Sequence, residues 1–145
     1  SPLCVLVPPE FALASKQSCK LNETLNYPAA LLDQNFGVSK LLANADPGNR
    51  VARDAFLTAD SINVAIHFVL SGGGITYLPA FAVSRQLRRG EVVAIPMTDP
   101  FLARVPSHLL VRKERPKTAA VRAVTGMIRD RMEAFGSAWY PEEHE

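Results

Sequence analysis

Thr58, Asp60 and Ser61 set three side-chain oxygens directly before an apolar repeat at Ile62, Ala65, Ile66 and Val69. A repeat at i, i+3, i+4 and i+7 is the stripe of a helix packed on a sheet. The first turn of such a helix holds N–H groups without intrahelical partners and a positive dipole end. Hydroxyls at this point therefore either cap the helix, or join the free N–H groups in binding a small carboxylate or other anion. Asp60 favours the cap, because it adds negative charge to the same place. For Thr58 and Ser61 the residues alone leave both uses open. A second polar group, Asp33-Gln34-Asn35-Phe36-Gly37, follows directly on the apolar run Ala29 to Leu32.

The other reactive side chains form no catalytic or metal-binding set. Gly72-Gly73-Gly74 follows a helix and precedes a strand, the reverse of a dinucleotide fingerprint, and no Gly-Lys-Ser/Thr is present. It reads as a turn that needs positive φ. His67 falls off the apolar stripe and reads as a surface residue, His108 faces either core or crevice, and His144 lies in the tail. Cys4 reads as a small core residue and Cys19 as part of a polar turn, both free thiols without metal spacing. With no Ser/His/Asp, Cys/His or paired-carboxylate arrangement, the expectation is a protein without catalysis, metal or cofactor.

Several elements must position the two polar groups. Leu3 to Val7 reads as a buried strand ended by Pro8-Pro9, and Leu21 to Leu25 as a short helix. Ala29 to Leu32 is a second strand, followed by a helix from Val38 to Ala45 that Asp46-Pro47-Gly48-Asn49 stops. Val51 to Leu57 reads as a strand leading into the helix at Ile62. Ile75 to Leu78 is a buried strand that Pro79 ends. Ala80 to Arg89 is helical, Glu91 to Ile95 and Val105 to Val111 are strands, and Lys117 to Phe135 is the longest helix. This alternation predicts right-handed βαβ crossovers and a largely parallel sheet. Parallel sheets bind ligands beyond the carboxyl ends of their strands, so Asp33 to Phe36, Thr58 to Ser61 and Pro79 to Phe81 should converge.

The 145 residues suffice for one domain or for a subdomain with attachments, and 48% hydrophobic with 21% charged residues is ordinary for a globular chain. A net charge of +2 is too weak to signal nucleic acid by itself, and the groups Arg85, Arg88, Arg89 and Arg112, Lys113, Arg115 read as solvated surface. No apolar run approaches the roughly 20 residues of a membrane helix. The opening Ser-Pro-Leu-Cys-Val carries no export signal, so a cytoplasmic location is expected. It starts inside an apolar strand, as an excised piece would.

The order Asp60-Ser61, Val69, Gly72, Gly74-Ile75, Leu78-Pro79 resembles the effector-binding domain of LysR-type transcriptional regulators. Ser1 to Ala14, Leu21 to Pro28, Ala29 to Asp33 and Leu109 to Ala123 are similar to further segments of that family, in order, over nearly the whole chain. The resemblance implies an α/β fold like the type 2 periplasmic binding proteins. Residues 1–10 would be a crossover strand and 11–100 the second α/β subdomain. Residues 101–135 would be the return strand and C-terminal helix of the first subdomain, and 136–145 a tail. It implies effector contacts at Asp33, Gln34, Phe36, Thr58, Asp60, Ser61 and Pro79.

The implied function is sensing of a small metabolite, an anionic or aromatic acid, that modulates DNA binding by a helix-turn-helix domain absent from these residues. The implied partners are that effector, further copies of the chain in a dimer or tetramer, and DNA only through the absent domain, with no membrane. In the family the helix at Val38 to Ala45 and the segment Val51 to Leu57 meet a partner's first subdomain. A solute-binding protein or a small α/β enzyme on the same scaffold is the alternative, disfavoured by the missing export signal and catalytic set.

Overall fold

Every residue of Leu3–Val7 is apolar and buried, the pattern of a strand covered on both faces. The computed structural model describes residues 1–111. The chain forms β1 (Leu3–Val7), single 3-10 turns at Ala12–Ser15 and Leu21–Thr24, β2 (Ala29–Leu32), α1 (Gly37–Ala45), α2 (Arg50–Arg53) and β3 (Leu57–Ala59). Then come α3 (Ile62–Leu70), β4 (Ile75–Pro79), a 3-10 turn at Ala80–Val83, α4 (Ser84–Arg88), β5 (Val93–Pro96) and a 3-10 turn at Ser107–Leu110.

The sheet order is β3-β2-β4-β1-β5. β2 runs parallel to β3 and β4, while β1 lies antiparallel between β4 and β5, with Leu3 opposite Pro79 and Cys4 opposite Pro96. Four strands thus share one direction and the first opposes them. The expected parallel sheet holds for β3-β2-β4 and is corrected at β1. The segment after β5 returns alongside the chain start. Leu3 donates to the Leu102 carbonyl at 2.8 Å, and Val105 to the Ser1 carbonyl at 2.9 Å.

Leu3, Leu6, Ile75, Leu78, Ile95 and Met97 fill the centre of the core. α3 buries Ala65, Ile66 and Val69 against the sheet, the stripe read from the sequence, and α1 buries Val38 and Leu42. Two expected strands are corrected. Within Val51 to Leu57, Arg50–Arg53 is helical and only Leu57 belongs to β3. Asn49 at φ 51 and the Asp46 carboxylate, which accepts the Val51 N–H at 2.8 Å, wind this stretch before it can extend. Within Val105 to Val111, Ser107–Leu110 is a 3-10 turn that starts after Pro106. The expected helix Lys117 to Phe135 lies outside the described residues.

The three glycines between α3 and β4 differ in their reasons. Only Gly72 has positive φ, at +80. Gly74 answers a close approach: a Cβ there would sit 2.0 Å from the Pro28 carbonyl oxygen, which accepts the Ile75 N–H at 2.8 Å. Cys4 and Cys19 are both free and buried. Cys19 is not in an exposed polar turn, because its backbone bridges to Met97 beside the sheet edge.

Candidate functional site

The parallel pairings of β2 with β3 and β4 bring the carboxyl ends of these strands to one edge of the sheet. Asp33 follows β2 and ties two of the ends together: its backbone N–H donates to the Ala59 carbonyl at 2.9 Å. Its Oδ1 accepts the Asn35 N–H at 2.9 Å, and its carbonyl accepts the Phe36 N–H at 3.2 Å. The loop is therefore held in a turn that leaves Asp33 half-buried and Gln34 exposed. Phe36 stands at the cap position of α1 and is 4% exposed, inside the core cluster. Thr58 and Asp60 are exposed on either side of buried Ala59. Pro79, the end of β4, is buried opposite Leu3.

Ser61 occupies the N-cap of α3 in extended conformation, yet its side chain makes no capping hydrogen bond. The sequence allowed a cap, a ligand contact, or both; the cap bond is not made. The hydroxyl stands at the positive end of a nine-residue helix, half-buried.

A cavity of about 260 Å³ opens between α1, α2 and the β2–β3 side of the sheet. Asp33, Gln34 and Thr58 line it, whereas Phe36, Asp60, Ser61 and Pro79 do not. Leu31, Leu32, Leu42 and Val51 supply its apolar wall. Its polar lining includes three residues that sequence reasoning passed over: Ser39, Asp46 and Asn49. Ser39 is buried and donates its hydroxyl to the Leu32 carbonyl, fastening α1 to the end of β2. Asp46 is 4% exposed; one oxygen accepts the Val51 N–H, and the other faces Arg50 Nε at 3.8 Å. Asp46 and Asn49 stood in the sequence as a stop signal. Their signal for more was the position of an acid directly after an apolar helix face.

Nucleophile chemistry has little footing here. Burial pushes the Cys19 thiol up to about 11, helped by the Glu23 and Asp99 carboxylates, so the thiol stays protonated. His67 is exposed on α3. Among the described residues no group of three or more His, Cys, Asp or Glu side chains is placed to hold a metal ion, and no helix is long and apolar enough to cross a membrane. His144, Arg112, Lys113 and Arg115 lie outside the described residues.

A protein-family model described as the LysR substrate binding domain matches residues 1–133. Among curated protein sequences none matches significantly. Similar solved structures include the effector binding domain of QuiR in complex with shikimate, 16% identical with a TM-score of 0.59 over 95% of this chain and 62% of that one. The effector binding domain of BenM with its effector benzoate is 18% identical, with a TM-score of 0.55 over 93% of this chain and 61% of that one. HinK, a LysR family transcriptional regulator from Pseudomonas aeruginosa, is 19% identical, with a TM-score of 0.56 over 90% of this chain and 44% of that one. The chain spans less than two thirds of each of these structures. At such identities the likeness concerns the fold.

Proposed function

Because the chain belongs to the LysR substrate-binding domain family, a family of regulatory domains rather than enzymes, we propose that it senses a small-molecule effector for a LysR-type transcriptional regulator. The observation that carries this reading is the meeting of three parallel strand ends at one sheet edge, above a cavity lined by Asp33, Gln34 and Thr58. Edges of this kind gather loops on a rigid base, which is how α/β sheets hold small ligands. In the two-subdomain reading, residues 11–100 form one jaw, and segments 1–10 and 101–135 lead to the other. An effector held between the jaws shifts their closure, and closure alters how attached helix-turn-helix domains sit on DNA in a dimer or tetramer.

Thr58, Ser61, Asp33 and Gln34 are the side chains placed to meet such a ligand. Pro79 and Phe36 act as buried supports beneath them, and Asp60 stands exposed beside the α3 start. QuiR and BenM are described with shikimate and benzoate, which supports a ligand of single-ring size. The N-terminus of α3 supports an acid, and the carboxylates of Asp33 and Asp60 at the same edge oppose one.

The test is a thermal-shift screen of metabolites on the full-length protein, followed by titration of the hits. We expect at least one compound to raise the melting temperature in a saturable way and to change binding of the full-length protein to its operator. A screen with no saturable hit overturns the sensing role.

A further inference from the structure

The charges around the cavity bear on the class of ligand, an inference that rests on the effector-sensing reading above. We propose that the cavity between α1, α2 and the β2–β3 face takes a small, largely apolar molecule carrying a neutral or cationic hydrogen-bond donor, and discriminates against carboxylates.

A volume of about 260 Å³ lies just below the range of drug-sized ligand sites, about 300–1,000 Å³, and suits a single ring with one substituent. The wall of Leu31, Leu32, Leu42 and Val51 suits the ring. The only charged side chains in the lining are Asp33 and Asp46, and no Lys, Arg or His joins them. Asp46 is almost wholly buried, so its charge acts through a medium that screens it poorly. At 3.8 Å the Arg50 Nε is too distant for a hydrogen bond, and that side chain is half exposed, so it offsets the charge only in part. The Ser39 hydroxyl proton is committed to the Leu32 carbonyl. The donors that line the cavity, the amides of Gln34 and Asn49 and the Thr58 hydroxyl, belong to exposed residues at its rim.

A carboxylate drawn into this space would lose water beside two like charges and meet no cation. Both effects raise its free energy. An amine or amide meets the opposite conditions, since carboxylate and hydroxyl oxygens accept its protons. The α3 N-terminus favours anions, but Ser61 does not line the cavity and Asp60 stands next to it.

The experiment uses three probes with one aromatic ring and different charge: benzylamine, benzamide and benzoate. Each is titrated onto the full-length protein and followed by ligand-observed NMR and calorimetry. We expect benzylamine and benzamide to bind at least about tenfold more tightly than benzoate. Asp33→Asn keeps an oxygen for the Asn35 N–H and removes the charge, so it should narrow the benzylamine–benzoate gap several-fold. Ala43→Leu, on the exposed face of α1 at the cavity, should weaken all binding probes together. Benzoate binding as tightly as benzylamine overturns the charge class and leaves the sensing role intact. Binding by none of the probes, or binding indifferent to Ala43→Leu, removes the cavity as a ligand site, and the sensing role is then judged by the metabolite screen.

Discussion

The Asp46 carboxylate accepts the backbone N–H of Val51 at 2.8 Å, and this bond turns the end of α1 into the start of α2. The Asp46 carbonyl also accepts the Asn49 N–H at 2.9 Å, so one buried residue organises the whole corner. Hydrogen bonds to a buried carboxylate contribute about 1.5–3 kcal/mol. Asp46→Ala should therefore lower stability by about 2–3 kcal/mol, and Asp46→Asn, which keeps an acceptor, by less. Urea denaturation of the two variants compares them. Equal losses would mean that the corner is held by packing and not by this oxygen.

Gly74 sits against the Pro28 carbonyl with no room for a Cβ, whereas Gly72 needs only its positive φ. Gly74→Ala must push β4 from the chain before β2 and should cost at least about 3 kcal/mol, at the upper end of overpacking losses. Gly72→Ala should cost about 1 kcal/mol through backbone strain. Thermal melts of both variants test the order. A Gly74→Ala protein as stable as wild type would contradict the close approach.

Thr24 donates its hydroxyl to the Leu21 carbonyl at 2.6 Å, so in its 2.7 Å contact with Tyr77 it is the tyrosine that donates. Burial pushes the Tyr77 phenol up to about 12 and the Cys19 thiol up to about 11, from ordinary values of 10.0 and 9.0. Both shifts are upward, so their stabilisation is complete below the ordinary values and is lost as pH rises through the shifted ones. Stability should fall between pH 9 and 12, with the Tyr77 share confined to the range above pH 10. Urea midpoints measured across this range should flatten above pH 10 in Tyr77→Phe, which also loses about 1 kcal/mol at neutral pH with its hydrogen bond. An unchanged alkaline slope in that variant would assign the loss to other groups.

Ser61 is an N-cap whose side chain makes no cap bond. Replacing a bonded cap serine by alanine costs about 0.5–2 kcal/mol, so Ser61→Ala should fall below that range. If the hydroxyls serve a ligand, Thr58→Ala and Ser61→Ala should each weaken effector binding by about 0.5–1.5 kcal/mol with little change in melting temperature. Effector titration and melting curves on the same preparations separate the two effects. Full effector affinity in both variants would move the binding groups elsewhere on the edge.

The legibility of the sequence followed how local each determinant is. The α3 stripe of Ile62, Ala65, Ile66 and Val69 is a property of one helix facing one sheet, and Pro8, Pro28 and Pro79 mark strand limits through their own backbone chemistry. The direction of β1 was not legible, because buried strands have the same composition in either orientation. Val51 looked like the start of a strand until a side chain five positions earlier captured its N–H. At the site, Asp33, Gln34 and Thr58 followed from the strand-end rule and do line one cavity. Asp46 and Ser39 did not follow, because the cavity is a gap between α1 and a three-residue edge strand, and no local pattern encodes a gap. Phe36 was read as a loop aromatic, but its position at the start of α1 turns it inward.

β1 is first in the chain and next to last in the sheet order, with Leu3 paired to Pro79 and Cys4 to Pro96. During synthesis its apolar residues emerge well before either neighbour strand exists. At about 5–20 residues per second the wait lasts several seconds, long compared with collapse or helix formation. β2, α1, α2, β3, α3 and β4 can assemble in the order they are made, and β1 is inserted afterwards beside β4, before β5 closes the sheet. The start of the chain is thus the closing piece of the domain. A nascent chain halted before β5 would carry a half-covered apolar strand and need shelter from a chaperone until translation resumes.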